Sequence, residues 1–288
     1  GDSKKLSGVK DMLIDKLAED KYLVYITYLT DKKCPRIRLD KIEMNLNKKL
    51  NFGVRTTLFQ TKKCPKPPII LTQSGGALAN TKNTIYFTIG NFGYANYPDR
   101  PEFSSIYSIN KAGPLNLKKL ANGVRNSEGI DAISKREPAS KFLIFTDMGP
   151  KGGDEVNILK LNHLKVKIPF LNTVTNFGSP HSTYGTDYGH DTSSDSKPIL
   201  NNHLYGIKPQ FVYVPAIAPT AIKYYDKNLF INWGGSAFLT SLRATTIFRI
   251  HFESNNVVYS EPIINTGERM RFLQVSGQGI IYAKADPN

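Results

Sequence analysis

The chain has 288 residues, 40% of them hydrophobic, which is enough for the buried core of one large domain or two small ones. No apolar run reaches the roughly 18 residues needed to cross a bilayer, so a membrane-spanning helix is excluded and the chain is expected to be soluble. The 38 Lys and Arg against 24 Asp and Glu give a formal charge of +14 and a pI near 9.6. That balance favours anionic partners, but the cations are scattered and no nucleic-acid-binding motif accompanies them, so no specific nucleic acid partner is expected.

The opening GDSKKLSG is polar and lacks an initiator Met, which reads as an engineered or processing boundary rather than a native start. Residues 9–18 predict one short helix, and 1–20 as a whole an N-terminal extension. From there on, strand-length apolar runs recur between turn residues, at 22–29, 84–89, 105–109, 142–146, 211–214, 237–242, 246–252 and 279–283. Fifteen Tyr and fifteen Phe, with many Val, Ile and Thr, agree with an all-β chain. Units of roughly 40 to 50 residues with several strands each predict one β-propeller domain of four-stranded blades over 1–288; a sandwich is the competing architecture. Only residues 172–202 break the pattern. Their Gly, Ser, Thr, Asn and Asp predict a long polar loop, in which Asp187, Asp191 and Asp195 are candidate metal oxygens and His181 and His190 weaker metal candidates.

The two cysteines, Cys34 in DKKCPR and Cys64 in TKKCPK, suit neither a zinc site nor a redox CxxC. Either they pair, which implies an oxidising compartment such as a periplasm, or they are two free thiols in loops.

At 146–157 the chain reads TDMGPKGGDEVN, a turn running into adjacent carboxylates at the end of an apolar strand. Turned carbonyls after Gly149 and Pro150, with Asp154 and Glu155 close behind, are hard oxygen ligands of the kind calcium prefers. A plain β-turn with solvated acids is the alternative.

Four further patches accompany that loop in a fixed order: QSGGALANTKNTIYFTIGNFG, GVRNSEGID, PAIAPTAIKYYDKNLFINWGGSAFLTSLRATTIFRI and NTGERMRFLQVSGQGIIYA. The series, over residues 23–283, resembles the soluble glucose/sorbosone dehydrogenase family, also called aldose sugar dehydrogenases, which are β-propellers that use pyrroloquinoline quinone (PQQ) and calcium. Members are usually longer. The resemblance therefore implies five blades or a reduced six, with the blade before residue 22 largely missing and the N-terminal segment closing the ring against the last strands.

By resemblance, Arg125, Asn126, Arg243, Arg269 and Arg271 lie at cofactor-contacting positions, suited to the three carboxylates of PQQ. Residues 269 and 271 point the same way on a strand. The resemblance also implies main-chain oxygens of Gly149 and Pro150 on the catalytic calcium and Asp154 and Glu155 near a second, structural calcium. Met148 stands where relatives often have a polar residue. Two positions depart from the family. Its catalytic His, just before a Gly-Gly pair, is Gln73 here, and the Asp that supports that His is Asn91; neither amide accepts a proton near neutral pH. None of the five histidines obviously substitutes. Glu128 is the most plausible replacement base, but an ion pair with an Arg makes it a poor one.

Three functions follow as expectations: a PQQ-dehydrogenase-like propeller binding PQQ or a similar polycarboxylate with calcium, its sugar oxidation altered or lost; a working PQQ-dependent aldose dehydrogenase; or an extracellular interaction propeller binding a protein or polyanion. The first two imply a periplasmic or secreted protein with a small-molecule sugar or polycarboxylate ligand.

Overall fold

A computed structural model of the chain describes residues 8–30, 33–47, 49–65, 69–93, 101–112, 116–133, 141–161, 174–186, 203, 206–254 and 256–286. Residues 9–18 form a strand, not a helix: β1 (Val9–Ala18) pairs antiparallel with β2 (Lys21–Leu29), followed by β3 (Ile37–Asn45) and β4 (Asn51–Gln60). The apolar spacing of VKDMLIDKLA fits either element, and tertiary contacts decide. On one side of β1, Asp11 Oδ2 accepts the Leu78 N–H at 2.7 Å and Asp15 Oδ1 accepts from Asn80 Nδ2 at 2.7 Å. On the other, Met12 and Ile14 are exposed. The segment read as an extension is thus the first strand of a four-stranded sheet, and it pairs with β2 rather than with the last strands.

The second sheet holds β5 (Gly75–Asn80), β6 (Thr84–Ile89), β7 (Ser105–Asn110) and β8 (Lys118–Asn122), and the third β9 (Gly129–Ala132), β10 (Phe142–Asp147) and β11 (Asp154–Lys160). Within the stretch read as a loop, β12 (Thr175–Asn176) runs parallel beside β8; beyond that stretch, β13 (Phe211–Tyr213) pairs with β11. Asp187, His190, Asp191 and Asp195 lie outside the described residues. The fourth sheet is β14 (Pro219–Tyr225), β15 (Ser236–Ser241), β16 (Thr246–Glu253) and β17 (Asn256–Asn265); the fifth has two strands, β18 (Met270–Val275) and β19 (Ile281–Ala285).

Strands β1, β5, β9, β14 and β18 lie against one another in that order, and four hydrophobic clusters fill the gaps between successive sheets. The two-residue period of a strand serves both neighbours at once. On β6, Ile85, Phe87 and Ile89 pack toward the first sheet and Tyr86 toward the third; on β10, Leu143 and Phe145 face the second sheet and Ile144 the fourth. Strands buried on both faces explain why the sequence shows apolar runs rather than clean alternation. This is a β-propeller. Among the described residues no helix is long and apolar enough to cross a membrane.

Cys34 and Cys64 form a disulfide across a separation of 30 residues, joining the turn between β2 and β3 to the segment after β4. Arg36 Nε donates to Cys34 Sγ at 3.0 Å. A Cys34→Ala/Cys64→Ala double variant is expected to lose about 3 kcal/mol of stability through the freed entropy of the unfolded loop. Urea unfolding midpoints of the two proteins check it; equal midpoints contradict it.

Candidate functional site

The first residues of the five inner strands meet around one cavity of about 1070 Å³, lined by Lys10 and Asp11 of β1, Gly75 and Ala77 of β5, Gly129 and Ile130 of β9, Ala221 to Lys223 of β14, and residues 271–274 of β18. Inner strands entering from the same end bring segments distant in sequence to one mouth. Of the residues singled out from the sequence, Gln73, Arg125, Asn126, Gly149, Asp154, Arg243, Arg269 and Arg271 line it; Asn91, Pro150 and Glu155 do not.

Arg125 and Asn126 are held by a residue the sequence reading passed over. The carboxylate of Asp147, at the end of β10, accepts the Arg125 N–H at 2.8 Å and the Asn126 N–H at 2.6 Å. Burial first, and the nearby Glu155 second, push the Asp147 pKa up to about 7, against the pull of those two N–H groups. The Asn126 side chain accepts the Gly75 N–H at 3.1 Å and donates to Met148 Sδ at 3.5 Å, so it ties β5 to the turn after β10. Met148, the departure noted in the sequence, therefore still meets a site residue.

Arg269 and Arg271 do project to one side. Both reach Asp286: Arg271 by two bonds of 3.0 Å, Arg269 at 3.8 Å. Arg271 Nη1 also pairs with Glu128 Oε2 at 2.6 Å. The ion pair expected for Glu128 is thus made, with an arginine 143 residues away. Arg243 is exposed at the mouth, its backbone N–H bonded to Ile217 O at 3.0 Å. Lys10 and Lys223 complete the set of cations facing the cavity, and neither was legible as a site residue.

The family model for Glucose / Sorbosone dehydrogenase matches residues 2–288. The chain belongs to the glucose/sorbosone dehydrogenase family. It is 24% identical over 166 residues to the aldose sugar dehydrogenase YliI of Escherichia coli, an alignment covering 57% of this chain and 40% of that one. An uncharacterized Synechocystis protein is 25% identical over 169 residues, covering 58% and 36%. The aligned region thus spans about two fifths of the length of these relatives. In structure, the chain is similar to a glucose dehydrogenase (TM-score 0.76, 18% identity, 98% of this chain and 80% of that one). It is also similar to the Escherichia coli aldose sugar dehydrogenase (TM-score 0.74, 17%, 98% and 80%) and to the PQQ-bound enzyme of Streptomyces coelicolor (TM-score 0.61, 18%, 90% and 67%).

Gln73 lines the cavity and Asn91 does not. Gln73 closes a 3-10 turn over Leu71–Gln73, and its carbonyl accepts the Phe92 N–H at 2.9 Å. A Cβ on Gly90 would stand 2.3 Å from Gln73 O, so glycine is what lets this turn lie against the end of β6. The side-chain Oε1 of Gln73 is buried with no hydrogen-bond partner among the described residues. Asn91 is turned to its own loop: its N–H donates to Arg125 O at 2.8 Å and its Oδ1 accepts the Gly93 N–H at 2.9 Å.

The calcium positions fit less well. Gly149 O already accepts from Arg125 Nη1 at 3.1 Å, and Pro150 O accepts the Gly153 N–H at 2.9 Å. A divalent cation on Gly149 O would face the guanidinium, at a repulsion of about 4 kcal/mol per unit-charge pair for a 4 Å gap and an effective dielectric near 20. Asp154 and Glu155 do not converge either, because neighbours on a strand project to opposite faces. Asp154 Oδ2 accepts the Ala218 N–H at 2.7 Å, its pKa raised to about 6 by burial. Glu155 points away from the cavity to His203 Nε2, 2.8 Å off, and to Asn157 Nδ2 at 3.0 Å. Among the described residues no group of three or more His, Cys, Asp or Glu gathers as metal ligands. As arranged, these oxygens do not fit a calcium.

Proposed function

We propose that the cavity binds PQQ or a similar flat polycarboxylate, and that sugar oxidation there departs from the family's route because an amide stands where the family has its base. One observation carries this: six basic side chains, Lys10, Arg125, Lys223, Arg243, Arg269 and Arg271, line the cavity against four carboxylates, Asp11, Glu128, Asp154 and Asp286. An excess of basic groups around an open cavity creates a positive potential that favours anionic ligands. Arg243 at the mouth and Arg125 at the wall are the residues that would meet the cofactor's carboxylates. When bound, the ortho-quinone supplies a two-electron acceptor for a carbinol C–H. Gln73 lines the cavity, and its amide is suited to hydrogen-bond a sugar hydroxyl and orient it, without removing its proton. The disulfide supports a periplasmic or secreted site of action.

The test is thermal unfolding with PQQ in excess EDTA and, separately, with calcium. Ligand at about 100 times Kd is expected to stabilise by about 2.7 kcal/mol, a shift of a few degrees, and Arg243→Ala to shrink it. No shift in either arm contradicts the reading and leaves the interaction propeller. Reduction of an acceptor dye with aldoses then separates a binding protein from a working dehydrogenase, and a Gln73→His/Asn91→Asp variant is expected to gain turnover.

A further inference from the structure

Lys10 is placed by features that a structural lysine does not need. The register of β1 against β2 jumps from Val9↔Tyr28 to Asp11↔Thr27, so Lys10 is the extra residue of a β-bulge. Bulges re-aim side chains and recur next to active sites. Here the bulge sends Lys10 over the Gly75–Gly76 pair that follows Gln73: a Cβ on Gly76 would stand 2.6 Å from Lys10 Cβ and 2.8 Å from Lys10 Cγ. Only glycine at 76 leaves room for that stem, and Thr27 Oγ1 of β2 donates to Gly76 O, tying β5 to the first sheet.

Lys10 lines the cavity, and its amine has no ion pair or hydrogen bond among the described residues. Its charged neighbours are already engaged with one another. Glu128 pairs with Arg271, Arg271 with Asp286, and Asp11, next along β1, accepts the N–H groups of Leu78 and Met12. Across from Asp11 lies Lys223 of β14. Burial of Lys10 lowers its pKa; Glu128 works against this and Arg271 with it.

We propose that Lys10 is the proton acceptor of this site, taking the hydroxyl proton that the amide of Gln73 cannot. In the step, the sugar O–H bond would break and its proton would move to Nζ in its unprotonated form, which burial favours. A bound ortho-quinone would supply the acceptor for the hydride, so that the carbinol carbon becomes a carbonyl, and Nζ would then release its proton to solvent. The inference rests on the reading that the cavity holds such a quinone.

Two measurements test it. In the protein without added cofactor, trace acetylation across pH with peptide mass spectrometry is expected to show Lys10 becoming reactive at lower pH than the exposed Lys160. In dye reduction with PQQ and an aldose, Lys10→Gln is expected to lower turnover about 100-fold and to remove its rise with pH, while PQQ still raises the melting temperature. Lys10→Arg, which keeps the charge but not the base, is expected to be as slow. Labelling of Lys10 in step with Lys160 overturns the proposal, as does a Lys10→Gln variant with unchanged turnover. A wild-type melting shift with PQQ but no turnover overturns it while leaving the binding reading intact; no shift at all overturns both.

Discussion

Asp147→Ala is expected to destabilise the protein by about 4 kcal/mol, because it strands two buried backbone donors, each costing about 1–3 kcal/mol once unpaired. The donors are the N–H groups of Arg125 and Asn126, so the loss also loosens the segment that sets both side chains at the cavity. The pH dependence has a definite sign. With its pKa raised to about 7, native Asp147 keeps a proton that the unfolded chain releases near its ordinary value of about 4. Its contribution is therefore fully present below about pH 4 and is lost as pH rises through about 7. Asp154, raised to about 6, adds a loss of the same sign over a lower window. Urea midpoints at about pH 5 and about pH 8 check both parts: the advantage of wild type over Asp147→Ala should shrink at the higher pH. A growing advantage would place the ionised carboxylate as the favoured form.

Glu155→Ala is expected to cost about 3 kcal/mol, since breaking a buried pair leaves the surviving partner uncompensated. Two partners survive here, His203 Nε2 and Asn157 Nδ2, and His203 Nδ1 already has no partner among the described residues. Because Glu155 faces away from the cavity, the PQQ melting shift should persist in the variant. If Glu155→Ala instead left stability unchanged and abolished that shift, the carboxylate would belong to the ligand site after all.

Much of the fold was legible because strand burial leaves a local trace. The runs at 84–89, 105–109, 142–146 and 246–252 fall on β6, β7, β10 and β16 with ends differing by at most one residue. The first strand was misread because Asp11 and Asp15 look like the polar face of a helix until the donors of β5 and its neighbours are seen to satisfy them. At the site, the period of two that aligned Arg269 with Arg271 also separates Asp154 from Glu155. Their opposite faces on β11 keep the two carboxylates from sharing one metal ion.

The sequence by itself determined an all-β chain and the order of the motifs, since each of these is a property of residue type and local spacing. Only the tertiary structure decided which groups meet: Arg271 with Glu128, Glu155 with His203, Arg125 with the Gly149 carbonyl, and Lys10 with Gly76. The physical reason is that strand periodicity fixes the side on which a residue lies. Which partner waits there is fixed by the closure of distant strands around a common axis, and that closure also settles which oxygens are already bonded and which amine is not.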